Sequence, residues 1–225
     1  MGKDSIQWMA SALLLQMRDD EPIAPAIKAI KATSLSKLKL ALNTEDKKKA
    51  FWINLYNAAF LVLRKKNGLS SPQIFISRRI KFADFTLSLD DIEHGILRRG
   101  QWKYGLGYFK RPFIRQEISS LMVDKLDYRI HFALNCGAKS CPAIRFYDYL
   151  KLNTQLNSAK NTFLKENSLE LDNQLLVSKI FLWFYGDFGG KRGIIEAHQR
   201  VLNLKRTNYS LKYSEYDWSP ENRFL

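Results

Sequence analysis

The stretch Ala50-Phe51-Trp52-Ile53-Asn54-Leu55-Tyr56-Asn57-Ala58-Ala59-Phe60-Leu61-Val62-Leu63 constrains this chain more than any other feature. It is apolar nearly all round a helical projection, and a helix without a polar face must be covered on every side. The rest of the chain therefore has to pack around it. Thr44 is placed to cap it, with Glu45 and Asp46 at its positive end and Arg64-Lys65-Lys66 at its negative end; Gly68 follows as a stop. The spacing predicts a buried central helix over 45–66. Asn54 and Asn57 are the exceptions, three residues apart and on one face.

Covering such a helix needs apolar material, and 14 Phe, 10 Tyr and 5 Trp among 225 residues supply it. Length and composition, 46% hydrophobic and 26% charged, fit one globular domain and exclude a disordered chain, a collagen-like repeat or a coiled-coil rod. We expect a single domain over 1–225, with an N-terminal helical segment (1–43) and a core (44–220). No run approaches the roughly 18 apolar residues of a membrane span. Ala12-Leu13-Leu14-Leu15 behind Gly2-Lys3-Asp4 is too short, and its flank too acidic, for a signal peptide. Ile6 breaks the myristoylation pattern. A soluble, cytoplasmic protein is the expectation.

Around the central helix the pattern predicts helices at 5–17, 24–32 and 34–42, then a weakly alternating edge strand at 80–87. Ser88 with Asp91 three residues on is a capping pattern that opens a helix to about Arg99. Residues 128–135, Tyr-Arg-Ile-His-Phe-Ala-Leu-Asn, read as a strand broken by Cys136-Gly137 and ended by Cys141-Pro142. Helices follow at 148–166, 179–187 and 192–203, with strands near 174–177 and within 209–218. Helices dominate and strands are scattered, so the expected class is α+β, helix-rich with a small sheet.

Net charge is +14 and uneven: residues 60–115 hold 12 Lys/Arg against 4 Asp/Glu. The densest part, from Arg98-Arg99 through Trp102, Tyr104, Tyr108 and Phe109 to Lys110-Arg111, interleaves cations with aromatic rings. Guanidinium groups suit phosphates and rings suit bases, so weak polyanion binding is one expectation. A solvated loop whose rings tuck into the core is the other.

Four long stretches, Phe51–Asn57, Leu87–Leu97, Arg129–Pro142 and Leu176–Gly189, together with Tyr216-Asp217-Trp218-Ser219, resemble bacterial-type members of the family catalogued as domain of unknown function 547. The resemblance runs in order over about 45–220. It implies no particular chemistry, and it implies export for many bacterial members, for which this sequence offers no leader.

Candidate chemistry has to come from the residues. Cys136 stands at the expected end of a strand, where following N–H groups could serve an oxyanion, so it is a candidate nucleophile. It would also share an apolar strand face with Phe132 and Leu134, which fits a core filler. With Cys141 it could close a small-loop disulfide in an oxidising compartment; in a cytosol both would be thiols. His131 and Asn135 fall on the opposite face. On a straight strand His131 would lie about 16 Å from Cys136, which disfavours a dyad. Glu93 and His94 are adjacent on a helix and point about 100° apart, so one at most faces a given site. Asp187 could orient a histidine or simply cap the next helix. A zinc site of His131, Cys136 and Cys141 has unsuitable spacing, and neither a metal nor a cofactor is expected.

A buried helix, a His-bearing strand and a later Asp or Asn also resemble the order of parts in papain-like and transglutaminase-like enzymes, although the helix here lacks their cysteine. The resulting expectation is a pocket lined by Asn54, Asn57, Glu93, His94, His131 and Cys136, with Asn135, Arg98 and Arg99 as further ligand contacts. It would serve a hydrolase or transferase with His131 or His94 as base and Asp187 in support. A non-catalytic module binding an anionic small molecule, polyanion or protein is the alternative.

Overall fold

A computed structural model describes residues 6–221 and 223–225. Gly2-Lys3-Asp4 and the expected helix start at Ser5 lie outside the described residues. Four helices open the chain: α1 (Ile6–Arg18), α2 (Ala24–Lys31), α3 (Leu35–Ala41) and α4 (Glu45–Lys65). The Thr44 hydroxyl accepts the Lys47 N–H at 3.3 Å, as its capping position requires. Every α4 residue from Ala50 to Leu61 is buried, with α1 packed along one side.

The two asparagines of α4 explain how so apolar a helix holds irregular neighbours. Asn54 donates to the Tyr147 carbonyl (2.7 Å) and accepts from the Tyr147 N–H (3.0 Å). Asn57 donates to the Ala133 carbonyl (2.9 Å) and accepts from the Asn135 N–H (3.0 Å). Each side chain thus satisfies two main-chain groups that no strand partner serves, since a buried backbone group must be paired. Both are fully packed and neither lines the cavity that holds His94 and His131, so their expected place in that pocket is corrected to a scaffolding one.

After the one-turn helix α5 (Gln73–Ile76), the edge-strand region is a small hairpin of β1 (Ile80–Lys81) against β2 (Thr86–Leu87). Ser88 and Asp91 then form a reciprocal cap: each side chain accepts the other residue's N–H at 3.1 Å. The helix that follows is wound as a π-helix over Asp91–Leu97, with Arg98 N–H to the Glu93 carbonyl and Gly100 N–H to the Gly95 carbonyl, both 2.8 Å. Such widened turns are frequent at functional sites.

α6 (Gln116–Leu121) leads to the main departure from the sequence pattern. Residues Tyr128–Phe132 form a 3-10 helix, not a strand. Asp127 caps it by accepting the Arg129 N–H at 3.1 Å. The alternation that suggested a strand reflects Ile130 and Phe132 packing into the core from a tight turn, where side-chain faces do not follow a period of two.

α7 (Leu152–Asn167) precedes β3 (Leu169–Leu171) and β4 (Gln174–Val177). Then come the one-turn α8 (Ile180–Trp183), α9 (Gly190–Leu202) and β5 (Ser210–Tyr213). β3 pairs antiparallel with β4, and β4 pairs parallel with β5, with Leu175 opposite Leu211. The expected helix at 179–187 stops at Trp183, and the Phe184–Gly189 segment turns back to place Asp187. The architecture is α+β, with one continuous hydrophobic core drawn from every part of the chain. Among the described residues no helix is long and apolar enough to cross a membrane.

Candidate active site

One cavity of about 550 Å³ brings together four of the residues singled out from the sequence, Glu93, His94, His131 and Cys136. Tyr56 reaches it from α4, Asp90, Glu93 and His94 from the π-helix region, and His131 from the 3-10 helix. Its remaining walls are largely aromatic, with Trp183, Tyr216 and Trp218 on one side and Lys103 and Tyr104 on another.

Beneath this surface runs a buried polar chain. The Arg98 guanidinium donates to both oxygens of Asp187, at 2.6 and 3.2 Å, and from Nη1 to His94 Nδ1 at 2.8 Å. A guanidinium has only donors, so His94 Nδ1 must accept and the neutral ring carries its proton on Nε2. Asp90 Oδ1 lies 3.7 Å from that nitrogen, beyond hydrogen-bond length. Burial, followed by the charges of Arg98, Arg111 and Lys103, holds the His94 pKa well below its ordinary value. His94 is therefore arranged to donate a hydrogen bond rather than to act as a base.

His131 is the complementary case. Its Nε2 lies 2.8 Å from Asp187 Oδ2, and its ring stacks on Phe184 with centroids 3.9 Å apart. Burial lowers its pKa, opposed by the bond to Asp187 and its charge. The neutral ring donates from Nε2 to the carboxylate, which leaves Nδ1 as its basic atom. Burial alone would raise the Asp187 carboxyl; the bonds from His131 and Arg98 outweigh it and hold the pKa below the usual value.

Glu93 goes the other way. Its side chain is 14% exposed, and burial raises its pKa to about 7 against the opposing charge of Arg98. The Tyr56 hydroxyl donates to its Oε2 at 3.0 Å. Two carboxyls near one cavity are thus separated in proton affinity, Asp187 fixed as an anion and Glu93 poised to exchange protons near neutrality.

Other expectations are corrected. The Cys136–Cys141 disulfide leaves Cys136 with no thiol to act as a nucleophile. The long His131–Cys136 separation rested on strand geometry, and both residues line the same cavity. Asn135 is buried, donating to the Pro142 carbonyl and accepting the Gly137 N–H, both at 2.7 Å, and shapes the disulfide loop rather than contacting a ligand. Arg98 is fully buried and unavailable to a polyanion; Arg99 is exposed and lies outside the cavity lining. No group of three or more His, Cys, Asp or Glu suited to a metal ion occurs among the described residues.

Sequence reasoning passed over Tyr56, Asp90, Lys103, Trp183, Tyr216 and Trp218. Tyr56 had a signal: a tyrosine inside an apolar helix carries a hydroxyl that needs a buried partner. Asp90 was masked by Asp91, whose capping role accounts for one acid of the pair.

Residues 40–164 match the family described as Protein of unknown function, DUF547. The chain belongs to that family. The matched span is more than half of the chain and carries Tyr56, Glu93, His94, Arg98, His131 and both cysteines, while Asp187 and the C-terminal aromatics lie beyond it. No curated protein and no solved structure matches the chain.

Proposed function

We propose that this family member is a hydrolase, or a transferase using the same chemistry, that works by general acid–base catalysis without a cysteine nucleophile. The observation that carries this reading is Glu93, a cavity-wall carboxyl with a pKa of about 7 beside the buried His131–Asp187 pair. A group with that affinity is half protonated at neutral pH and can both give and take a proton.

Roles follow from the bonding. Glu93 exchanges the proton with the reacting group. His131, oriented by Asp187, supplies a basic Nδ1 toward an attacking water or acceptor hydroxyl. His94 Nε2–H and the Lys103 ammonium offer donors to an oxygen that gains negative charge. Trp183, Tyr216 and Trp218 supply apolar contact for the rest of the substrate.

A panel of ester, amide, glycoside and phosphoester substrates tests the reading. Glu93→Gln keeps shape and loses the proton; turnover should fall roughly 100-fold or more with KM little changed. The wild-type rate should turn over with an apparent pKa near 7 that the variant lacks. Unaltered turnover in folded Glu93→Gln protein would end the proposal.

A second reading is favoured by one observation. Trp102, Tyr104, Leu106, Tyr108, Phe109 and Phe113 are all substantially exposed, an unusual apolar concentration within twelve residues, beside exposed Arg99 and Lys110. This supports binding of an anionic partner through that stretch without turnover. Binding to heparin that weakens in Arg99→Gln/Lys110→Gln protein, with no activity on the panel, would favour it.

A further inference from the structure

The Cys136–Cys141 disulfide stands on the cavity wall with hydrogen-bond donors aimed at its sulfurs. The Cys136 N–H donates to Cys141 Sγ at 3.1 Å. The Tyr216 hydroxyl lies 3.2 Å from Cys141 Sγ and 3.6 Å from Cys136 Sγ, and because a disulfide sulfur bears no hydrogen, Tyr216 is the donor. Cys141 thus receives two donors, while Cys136 is the more exposed of the two. Donors of this kind gain most when the sulfur becomes an anion, since bonds to a charged acceptor are stronger than bonds to a neutral one.

The loop is held by hydrogen bonds as well as by the sulfur bridge. Asn135 ties its two ends by donating to the Pro142 carbonyl and accepting from the Gly137 N–H. The C-terminal segment clamps its middle: Lys139 N–H to the Ser219 carbonyl (2.8 Å), Ser140 N–H to the Asp217 carbonyl (3.2 Å) and Glu221 N–H to the Gly137 carbonyl (3.0 Å). Arg64 adds a bond to the Gly137 carbonyl at 2.9 Å.

We propose that Cys136–Cys141 is a redox-active disulfide that oxidises a dithiol entering the cavity. One thiolate of the dithiol attacks Cys136 Sγ, forming a mixed disulfide and breaking the Cys136–Cys141 bond. The electron pair leaves on Cys141 Sγ, where the Cys136 N–H and Tyr216 O–H stabilise the thiolate. The second thiolate of the dithiol then attacks its own partner sulfur in the mixed disulfide and releases Cys136 as a thiolate. The dithiol loses two electrons and two protons, and the two protein sulfurs gain both. The aromatic wall of Trp183, Tyr216 and Trp218 suits a dithiol with an apolar body. This activity is independent of the acid–base reading.

The test mixes oxidised protein with reduced dithiothreitol, or with a short peptide bearing two cysteines flanked by apolar residues, at neutral pH without denaturant. Maleimide mass shift counts the protein thiols formed. Stoichiometric reduction is expected, with the fold retained by circular dichroism, and Tyr216→Phe should slow it about tenfold. Reduction by dithiothreitol alone would assign a small dithiol, and faster reduction by the peptide a protein segment. Independently of any variant, the disulfide should be reduced by glutathione buffers at least about tenfold more readily than that of a linear peptide of residues 135–142. A disulfide inert to both dithiols until the protein unfolds, or no easier to reduce than the peptide's, would overturn the proposal. So would an unchanged rate in folded Tyr216→Phe protein.

Discussion

Arg98 and Asp187, 89 residues apart in the chain, meet through two hydrogen bonds with neither side chain exposed to solvent. This ion pair sets the state of both cavity histidines. Asp187 accepts a hydrogen bond from His131 Nε2–H, and Arg98 occupies the Nδ1 lone pair of His94. The pair thereby leaves Nδ1 as the basic atom of the His131 imidazole and Nε2–H as the donor of His94. The Phe184 ring, stacked on His131 with the Arg98 guanidinium 4.6 Å from its centroid, holds the assembly from the other side.

Removing the cation should expose how much rests on it. Arg98→Met fills similar space but leaves Asp187 a buried carboxylate held by His131 alone, and breaking a buried ion pair in this way costs about 3–5 kcal/mol. Chemical denaturation at pH 7 measures the loss. The same variant should raise the Asp187 pKa, so the deficit should shrink toward acid pH as that carboxyl protonates. A deficit below about 1 kcal/mol would mean that the pair is not buried as described.

Glu93 gives a pH signature with a definite sign. Its pKa is about 7 in the folded protein against 4.5 for an unperturbed glutamate. Below 4.5 both states hold the proton and there is no effect. Between 4.5 and 7 the unfolded state releases its proton while the folded state keeps it, so stability falls as pH rises, levelling off above 7. The full loss is about 3 kcal/mol at most. Glu93→Gln removes this slope, so the variant should gain on wild type between pH 4.5 and 7.5 in parallel denaturation curves. A difference constant across that range would show that Glu93 titrates normally.

Asn57 should be a stability residue rather than a binding one. Asn57→Leu leaves the Ala133 carbonyl and the Asn135 N–H without partners in a dry core, at about 1–3 kcal/mol for each orphaned group. A melt matching wild type would refute this. The 3-10 helix bearing His131 lies just before the supported backbone, so activity should fall only as far as the fold does.

How much of this was legible in the sequence follows from the range of the forces involved. α4 was legible because its caps and its apolar surface are local properties, and the Ser88–Asp91 cap because it spans three residues. The strand reading at 128–135 failed because its alternation is the same whether apolar side chains enter the core from a strand or from a 3-10 turn. What decides between them is Asn57, whose amide supplies the main-chain partners at 133 and 135 that a sheet neighbour would otherwise provide. Glu93, His94, His131 and Cys136 of the cavity wall were named, since histidines and cysteines are few, while Tyr56, Asp90 and Lys103 were not. The roles of the named residues were not legible, because the environment of Glu93 and the burial of Arg98 depend on Tyr56 and Asp187, tens of residues away, and the His94 tautomer follows from where Arg98 is then held.

Gly107 carries the last prediction, because it couples the exposed aromatic stretch to the buried ion pair. Its φ is +84°, a conformation that side-chain-bearing residues avoid. A Cβ there would stand 2.5 Å from both the N and Oδ1 atoms of Asp187. The approach is mutual, since the Gly186 N–H donates to the Leu106 carbonyl and a Cβ on Gly186 would meet the Gly107 carbonyl carbon at 2.7 Å. Gly107→Ala must therefore push the 101–110 loop away from the 184–188 turn or displace Asp187. Displacing Asp187 misorients His131, so on any substrate found for the cavity kcat should fall about tenfold or more, while the fold survives a loss of about 1–3 kcal/mol. A surface variant just beyond this loop, such as Phe113→Ser, leaves Asp187 untouched and should keep kcat. Equal kcat in Gly107→Ala and wild-type protein would show that the loop can move without disturbing the carboxylate that orients His131.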